Sequence, residues 1–243
     1  MKLFYLPNAG GTATSMYKWS SGLKSFIEPI PIELAGRGIR FNEIQYAGLH
    51  EAVEDIFTTF KGIVGDDDYA LIGHSMGATL IFELYYKIIN NNIKPPIHMF
   101  FSGSRPPYTR HKSEKIHMLN DDLFINEVKK LGGLSDEFLN NEELRMIFIP
   151  VLKEDYRMLE NYIYSEKISK LKCNISVLYG SEDFTSEEVR GWAKLTKSKC
   201  FYEEFSGGHF YIDSNATKFA SYINSRVIEE YSDERRINNV IFG

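Results

Sequence analysis

Gly73-His74-Ser75-Met76-Gly77 sets a serine between two glycines, after a short apolar run, Tyr69–Ile72, and before a mostly apolar helical stretch, Met76–Ile89. A strand-to-helix turn this tight has room only for small residues, hence Gly73 and Gly77 with Ala78 next. It lifts the serine hydroxyl clear of the backbone at a helix N-terminus, where the dipole favours negative charge. A hydroxyl becomes a useful nucleophile only when a base takes its proton and a third group orients that base. Of the six histidines, His209 in Gly207-Gly208-His209-Phe210 follows the last strand-like run, where a loop can turn it towards Ser75. His74 adjoins the serine, but adjacent side chains of an elbow diverge, so it is expected to pack. His98 is expected to be structural within a strand, and His50, His111 and His117 to be solvated. Asp183 in Gly180-Ser181-Glu182-Asp183 follows the run Ile175–Tyr179 and is the expected orienting carboxylate; Glu182 is its near rival and Asp213 a weaker one.

An acyl-transfer site also needs donors for the oxyanion. The N–H of Met76, next after the nucleophile, is one candidate. The second belongs to the loop after the first strand, Pro7-Asn8-Ala9-Gly10-Gly11; Pro7 has no N–H, so Ala9 or Asn8 must supply it.

The elements that must hold these groups alternate between short apolar runs and longer amphipathic stretches, an α/β pattern with a mostly parallel sheet flanked by helices. The predicted strands are Leu3–Leu6, Ile30–Leu34, Tyr69–Ile72, His98–Ser102, Ile175–Tyr179 and Phe201–Phe205. Function in a parallel sheet gathers at the carboxyl ends of its strands. Asp66-Asp67-Asp68 lies at the opposite edge and is expected to be a solvated turn. Predicted helices cover Leu49–Val64, Met76–Ile89, Glu187–Thr196 behind a Thr185/Glu188 capping box, and Asn215–Tyr231. From Tyr108 to about Lys167 only helical patterns recur, Leu119–Leu131 and Glu142–Tyr164, the second expected to be kinked or divided by Pro150. This apolar-rich insertion, about 108–167, is expected to form a lid over the carboxyl edge of a single domain spanning 1–243, with a poorly ordered tail at 232–243.

The chain has 243 residues, 28 Lys+Arg against 33 Asp+Glu and a net charge of -5. Without a dominant basic block, nucleic acid is not an expected partner. No apolar run is long enough for a membrane span, and Pro7 and Gly10 break the N-terminal run too early for a secretory signal. The two cysteines, Cys173 and Cys200, show no metal-ligand spacing and are expected to be reduced thiols in a cytoplasmic, monomeric protein. No G-x-G-x-x-G or P-loop pattern occurs, so neither a cofactor nor a metal is expected.

The chain order Ser75, Asp183, His209 is that of an α/β-hydrolase. Four segments carry a closer resemblance: Leu6-Pro7-Asn8-Ala9-Gly10-Gly11, Glu33-Leu34-Ala35-Gly36-Arg37-Gly38, Gly73-His74-Ser75-Met76-Gly77-Ala78 and Gly207-Gly208-His209-Phe210. Leu131-Gly132-Gly133 and the Pro150-to-Tyr156 stretch add to them. From Leu3 to about Tyr231 the chain resembles the type II thioesterases that accompany nonribosomal peptide and polyketide synthetases. The resemblance implies an α/β-hydrolase fold with a small helical lid, and hydrolysis of acyl or aminoacyl thioesters from the phosphopantetheine arm of carrier proteins, which clears stalled synthetases. It implies Ser75, Asp183 and His209 as catalytic residues and the N–H groups of Ala9 and Met76 as oxyanion donors. The chain departs from the family where Asn8 replaces a usual histidine or aromatic residue, where Ala35 replaces proline, and where the acid loop runs Gly-Ser-Glu-Asp. Carrier domains are typically acidic, so Arg110, Lys112 and Lys115 at the start of the insertion are candidate docking residues. The alternatives are a small-molecule carboxylesterase of the same fold and a non-catalytic hydrolase-fold binding module.

Overall fold

Six strands pair in the order β2-β1-β3-β4-β5-β6, and every pairing is parallel. They are β1 Lys2–Leu6, β2 Glu28–Pro31, β3 Tyr69–His74, β4 His98–Ser102, β5 Asn174–Gly180 and β6 Cys200–Phe205. The computed structural model describes residues 1–109, 115–134 and 136–242. The helices are α1 Tyr17–Ser20, α2 Leu49–Val64, α3 Met76–Asn90, α4 Asp121–Lys129, α5 Asp136–Asn140, α6 Glu142–Glu160, α7 Ser186–Arg190, α8 Tyr211–Ser214 and α9 Ala216–Phe242.

Helices cover both faces of the sheet, so its central strands are mostly apolar; β3 and β4 are buried at every position, including the polar His74, His98 and Ser102. Along β1 the alternation is plain. Phe4 and Leu6 join Val53, Phe60 and Leu84 of α2 and α3 on one face, while Leu3 and Tyr5 join Trp19, Phe219 and Ile223 on the other. A separate small core of Phe124, Ile125, Val128, Phe138, Ile149 and Leu152 holds α4, α5 and α6 together. Among the described residues, the insertion between β4 and β5 contributes no strand to the sheet.

Several boundaries differ from those the sequence predicts. The second strand is Glu28–Pro31 rather than Ile30–Leu34. Ile32 still donates to Tyr5 O at 3.0 Å, then the chain leaves the sheet while Ile32 and Leu34 stay buried. The apolar pattern there records burial, not pairing. Glu28 and Ile32 point their N–H groups inward to Met1 O and Tyr5 O. The outward positions between them are Pro29 and Pro31, which an edge strand tolerates.

Pro150 does not divide its helix: α6 runs through it, because the turn beyond buries Val151, Leu152 and Asp155. That helix ends at Glu160, not Tyr164. α5 has no counterpart in the sequence reading. The Thr185/Glu188 capping box forms as expected, but α7 stops at Arg190 and a 3-10 turn, Gly191–Leu195, follows. α9 continues to Phe242, past Tyr231 where the amphipathic pattern closes.

Candidate active site

Four carboxyl-edge loops converge. Ser75, between β3 and α3, has φ 55° and ψ -110°. A non-glycine residue in this region stores about 1–3 kcal/mol of strain, which its surroundings must over-determine. Here they do. A Cβ on Gly73 would lie 2.1 Å from Gly77 O, and one on Gly77 would lie 2.1 Å from Leu6 O. The Ser75 N–H donates to Ser102 O at 2.8 Å.

The His209 ring spans serine and carboxylate. Its Nε2 is 2.9 Å from Ser75 Oγ and its Nδ1 is 2.7 Å from Asp183 Oδ2. With the proton on Nδ1, that nitrogen donates to Asp183 and Nε2 accepts from the serine hydroxyl. The Asp183 and His209 side chains are 7% and 8% exposed. Their loops are closed on one another through backbone. A Cβ on Gly180 would fall 2.3 Å from Gly208 O, while Ser181 N–H donates to Phe205 O and Glu182 N–H to Gly207 O. The rivals lie elsewhere: Glu182 is exposed, and Asp213 pairs with Lys18 at 2.7 Å.

The remaining histidines sort by surroundings. His74 is buried beneath the site, with Nδ1 2.9 Å from Ser102 Oγ, which lies 2.6 Å from Tyr211 OH. Burial first, and then neighbouring His209, hold its pKa well below the ordinary value of 6.5. His98 lies in β4 and bonds Glu230 and Ser176. His50 is exposed, as expected. His117 is not solvated as expected: it is half-buried, with Nδ1 on the Glu160 carboxylate. His111 lies outside the described residues.

The first loop follows β1, whose Leu6 is in register with Gly73. Within it, Gly11 N–H donates to Asn8 O at 2.9 Å and Gly10 N–H donates to Asp155 Oδ2 at 2.7 Å. With Pro7 lacking an N–H, Asn8 and Ala9 are the donors this loop can turn to a substrate. Met76 opens α3, where the first N–H groups have no partner within the helix. Asp155 also holds a bidentate ion pair with Arg37, at 2.6 and 2.7 Å. Sequence reasoning missed this pair: both residues lie in segments that carry the family resemblance, yet no spacing links positions so far apart.

A cleft of about 1270 Å³ opens over Ser75 and His209, lined by Tyr108, Tyr162, Ile163 and Phe184 with Arg105, Arg190 and Lys194. A second cavity of about 620 Å³, beyond Asn161–Ile163, includes none of Ser75, Asp183 or His209. Of the candidate docking residues, Lys115 lines the cleft, is exposed, and donates to Asn161 Oδ1 at 2.9 Å; Arg110 and Lys112 lie outside the described residues. Among the described residues, no cluster of three or more His, Cys, Asp or Glu could hold a metal, and no helix is long and apolar enough to cross a membrane. Cys173 and Cys200 are both free thiols.

Residues 1–227 match the family model for the thioesterase domain. The chain belongs to the thioesterase family. This thioesterase is 30% identical over 214 residues to the gramicidin S biosynthesis protein GrsT of Aneurinibacillus migulanus, covering 87% of this chain and 83% of GrsT. It superposes on the crystal structure of ClbQ from the colibactin NRPS/PKS pathway with a TM-score of 0.91 and 34% identity, over 95% of this chain and 98% of ClbQ. The type II thioesterase BorB from the borrelidin biosynthetic cluster follows at TM-score 0.83 and 30% identity, over 92% of this chain and 91% of BorB. The resemblance to type II thioesterases read from the motifs therefore holds, as does the α/β-hydrolase fold, and the thioesterase is a hydrolase by family.

Proposed function

We propose that this thioesterase cleaves acyl or aminoacyl thioesters from the phosphopantetheine arm of carrier domains in a nonribosomal peptide or polyketide synthetase, returning blocked carriers to use. The observation that carries the reading is one histidine ring within hydrogen-bond reach of both Ser75 and Asp183, with the serine on a strained elbow under an open cleft. The kinship with GrsT, ClbQ and BorB supports the class of substrate.

In this mechanism Ser75 Oγ attacks the thioester carbonyl carbon and its proton passes to His209 Nε2. The oxyanion rests on the N–H groups of Ala9 and Met76. The C–S bond breaks, the imidazolium returns its proton to the departing sulfur, and acyl-Ser75 remains. A thiol with pKa near 8.5 leaves far more readily than an alcohol, so little help is needed there. Water then attacks the ester carbonyl and gives its proton to His209; the C–Oγ bond breaks, Ser75 is reprotonated, and the carboxylic acid departs. Every proton moves between Ser75, His209, water and the leaving group, so the proposed cycle calls for no cofactor. Asp183 keeps His209 in the productive tautomer.

The test compares acyl-carrier with a p-nitrophenyl ester of the same chain length, alongside labelling by a fluorophosphonate. A higher kcat/KM for the acyl-carrier and labelling at Ser75 are expected. Preference for the free ester would favour a small-molecule carboxylesterase, and absence of labelling and turnover would leave a binding module.

A further inference from the structure

The buried pair Arg37–Asp155 lies between the insertion and the oxyanion loop. Arg37 is 4% exposed and Asp155 2%. A buried ion pair is a poor source of stability, because desolvating both charges roughly cancels their attraction, and well-packed apolar residues often do as well. What this pair touches gives it another task. Asp155 Oδ2 accepts from Arg37 Nη1 at 2.6 Å and from the Gly10 N–H at 2.7 Å, and Oδ1 accepts from Arg37 Nη2 at 2.7 Å. Arg37 Nη1 also reaches Gly11 O at 3.4 Å.

The Ala9–Gly10 peptide is thus held at both ends. Its N–H is bound by Asp155, and its carbonyl, Ala9 O, accepts from Asn8 Nδ2 at 2.9 Å. Gly10 sits at φ +71°, and a Cβ there would lie 2.8 Å from Leu152 Cδ1, one turn before Asp155 on the same helix. Ala9 packs against both the main core and the small core of the insertion. A helix of the insertion therefore grips the loop directly, by a side-chain contact at Leu152 and a charged acceptor at Asp155.

We propose that Asp155 is a positioning residue for the oxyanion hole: held by Arg37, it fixes the Ala9–Gly10 peptide and with it the aim of the Ala9 N–H, so that the insertion is part of the reaction geometry and not only its cover. The inference rests on the acyl-serine reading above. A hydrogen-bond donor moved by about an ångström loses most of its value to a developing oxyanion.

The double variant Arg37→Met/Asp155→Leu removes the pair without leaving a lone buried charge, and is expected to melt within a few degrees of the wild type. Its kcat on an N-acetylcysteamine thioester should fall about 10- to 100-fold with KM nearly unchanged. Affinity for a trifluoromethyl ketone, which forms an oxyanion on Ser75, should fall by the same factor. A variant that melts like the wild type and keeps wild-type kcat and ketone affinity would overturn the proposal. Should the double variant fail to fold, glycolate in place of Gly10 turns that one N–H into an ester oxygen and leaves the ion pair in place; it should show the same kcat loss, and unchanged kcat would equally overturn the inference. Wild-type protein with no turnover and no fluorophosphonate label at Ser75 would instead sink the reading beneath it.

Discussion

Ser75, Asp183 and His209 are placed by backbone meeting backbone, whereas the insertion across the cleft is placed by side chains reaching backbone. On the first side Gly73, Gly77 and Gly180 let main chains approach to distances at which any Cβ would collide. On the second, Arg157 spans from α6 to the carbonyls of Tyr46 and Ala47, both at 2.9 Å, and Asp155 takes the Gly10 N–H. Interlocked backbone has no nearby alternative arrangement. A bond to a charged side chain is worth about 1.5–3 kcal/mol net when buried and less at the surface, where one such as that of Arg157 can be released singly. The difference separates a tightly fixed Ser75–His209–Asp183 cluster from an insertion attached through side-chain bonds.

The largest effect expected is on the fixed side. Ser75→Ala should lower kcat/KM for thioester hydrolysis by at least about 10⁴-fold while the melting temperature stays within about two degrees. An acyl-serine trapped at another residue by mass spectrometry would break the assignment. Asp183→Asn should cost about 10³- to 10⁴-fold in kcat, as the imidazole loses its oriented tautomer. Glu182→Gln should change little, since that side chain is exposed; the reverse ranking would mean that the carboxylate has been misassigned by one position.

The contrast sharpens with paired substitutions. Gly180→Ala should destabilise by about 1–3 kcal/mol in urea unfolding and depress kcat, because the new Cβ must part the Asp183 and His209 loops. Arg157→Ala on the other side should cost about 1 kcal/mol and leave the kcat of a short acyl-pantetheine thioester within about twofold. Comparable kcat losses for the two would erase the distinction.

Acid should weaken the fold through histidines kept neutral by burial. The pKa of His74 lies well below 6.5, and that of His98 is also lowered, burial outweighing its bond to Glu230. Below 6.5 the unfolded chain therefore binds protons that the native chain refuses, and stability present above that value is lost as pH falls. Melting temperature measured from about pH 7.5 down to about pH 5 should decline, and His98→Gln should flatten the decline. An unchanged slope would place the pH dependence on other groups. The smallest effect belongs to the candidate docking charges. Alanine at Arg110, Lys112 and Lys115 together should raise KM for acyl-carrier only modestly, with the loss shrinking at high salt and a short acyl-pantetheine substrate unaffected.

The same contrast sets what could be read from the amino acids. The elbow and the acid loop were legible because a backbone that tolerates no Cβ writes itself as glycine at fixed offsets, and the histidine loop because Gly207 takes a φ of +113°. α2 was legible because burial of one face imposes a helical period, and β3 and α3 because burial on nearly every side leaves runs of apolar residues. The insertion was legible as helical and apolar, but α5 and the end of α6 were not, since half-exposed helices in a small core carry little pattern. His117 was misjudged because its partner Glu160 is on another helix. Arg37 and Asp155 were invisible as a pair for the same reason: a contact between distant side chains leaves no spacing to count.

Pro29 and Pro31 give the sheet's outer margin a further property. The outward N–H positions of β2 are these two prolines, so an arriving strand finds acceptors there without the matching donors. A second sheet cannot extend this one in register along that side. For a protein proposed to work beside large assemblies of many folding domains, this guards against aggregation by strand addition.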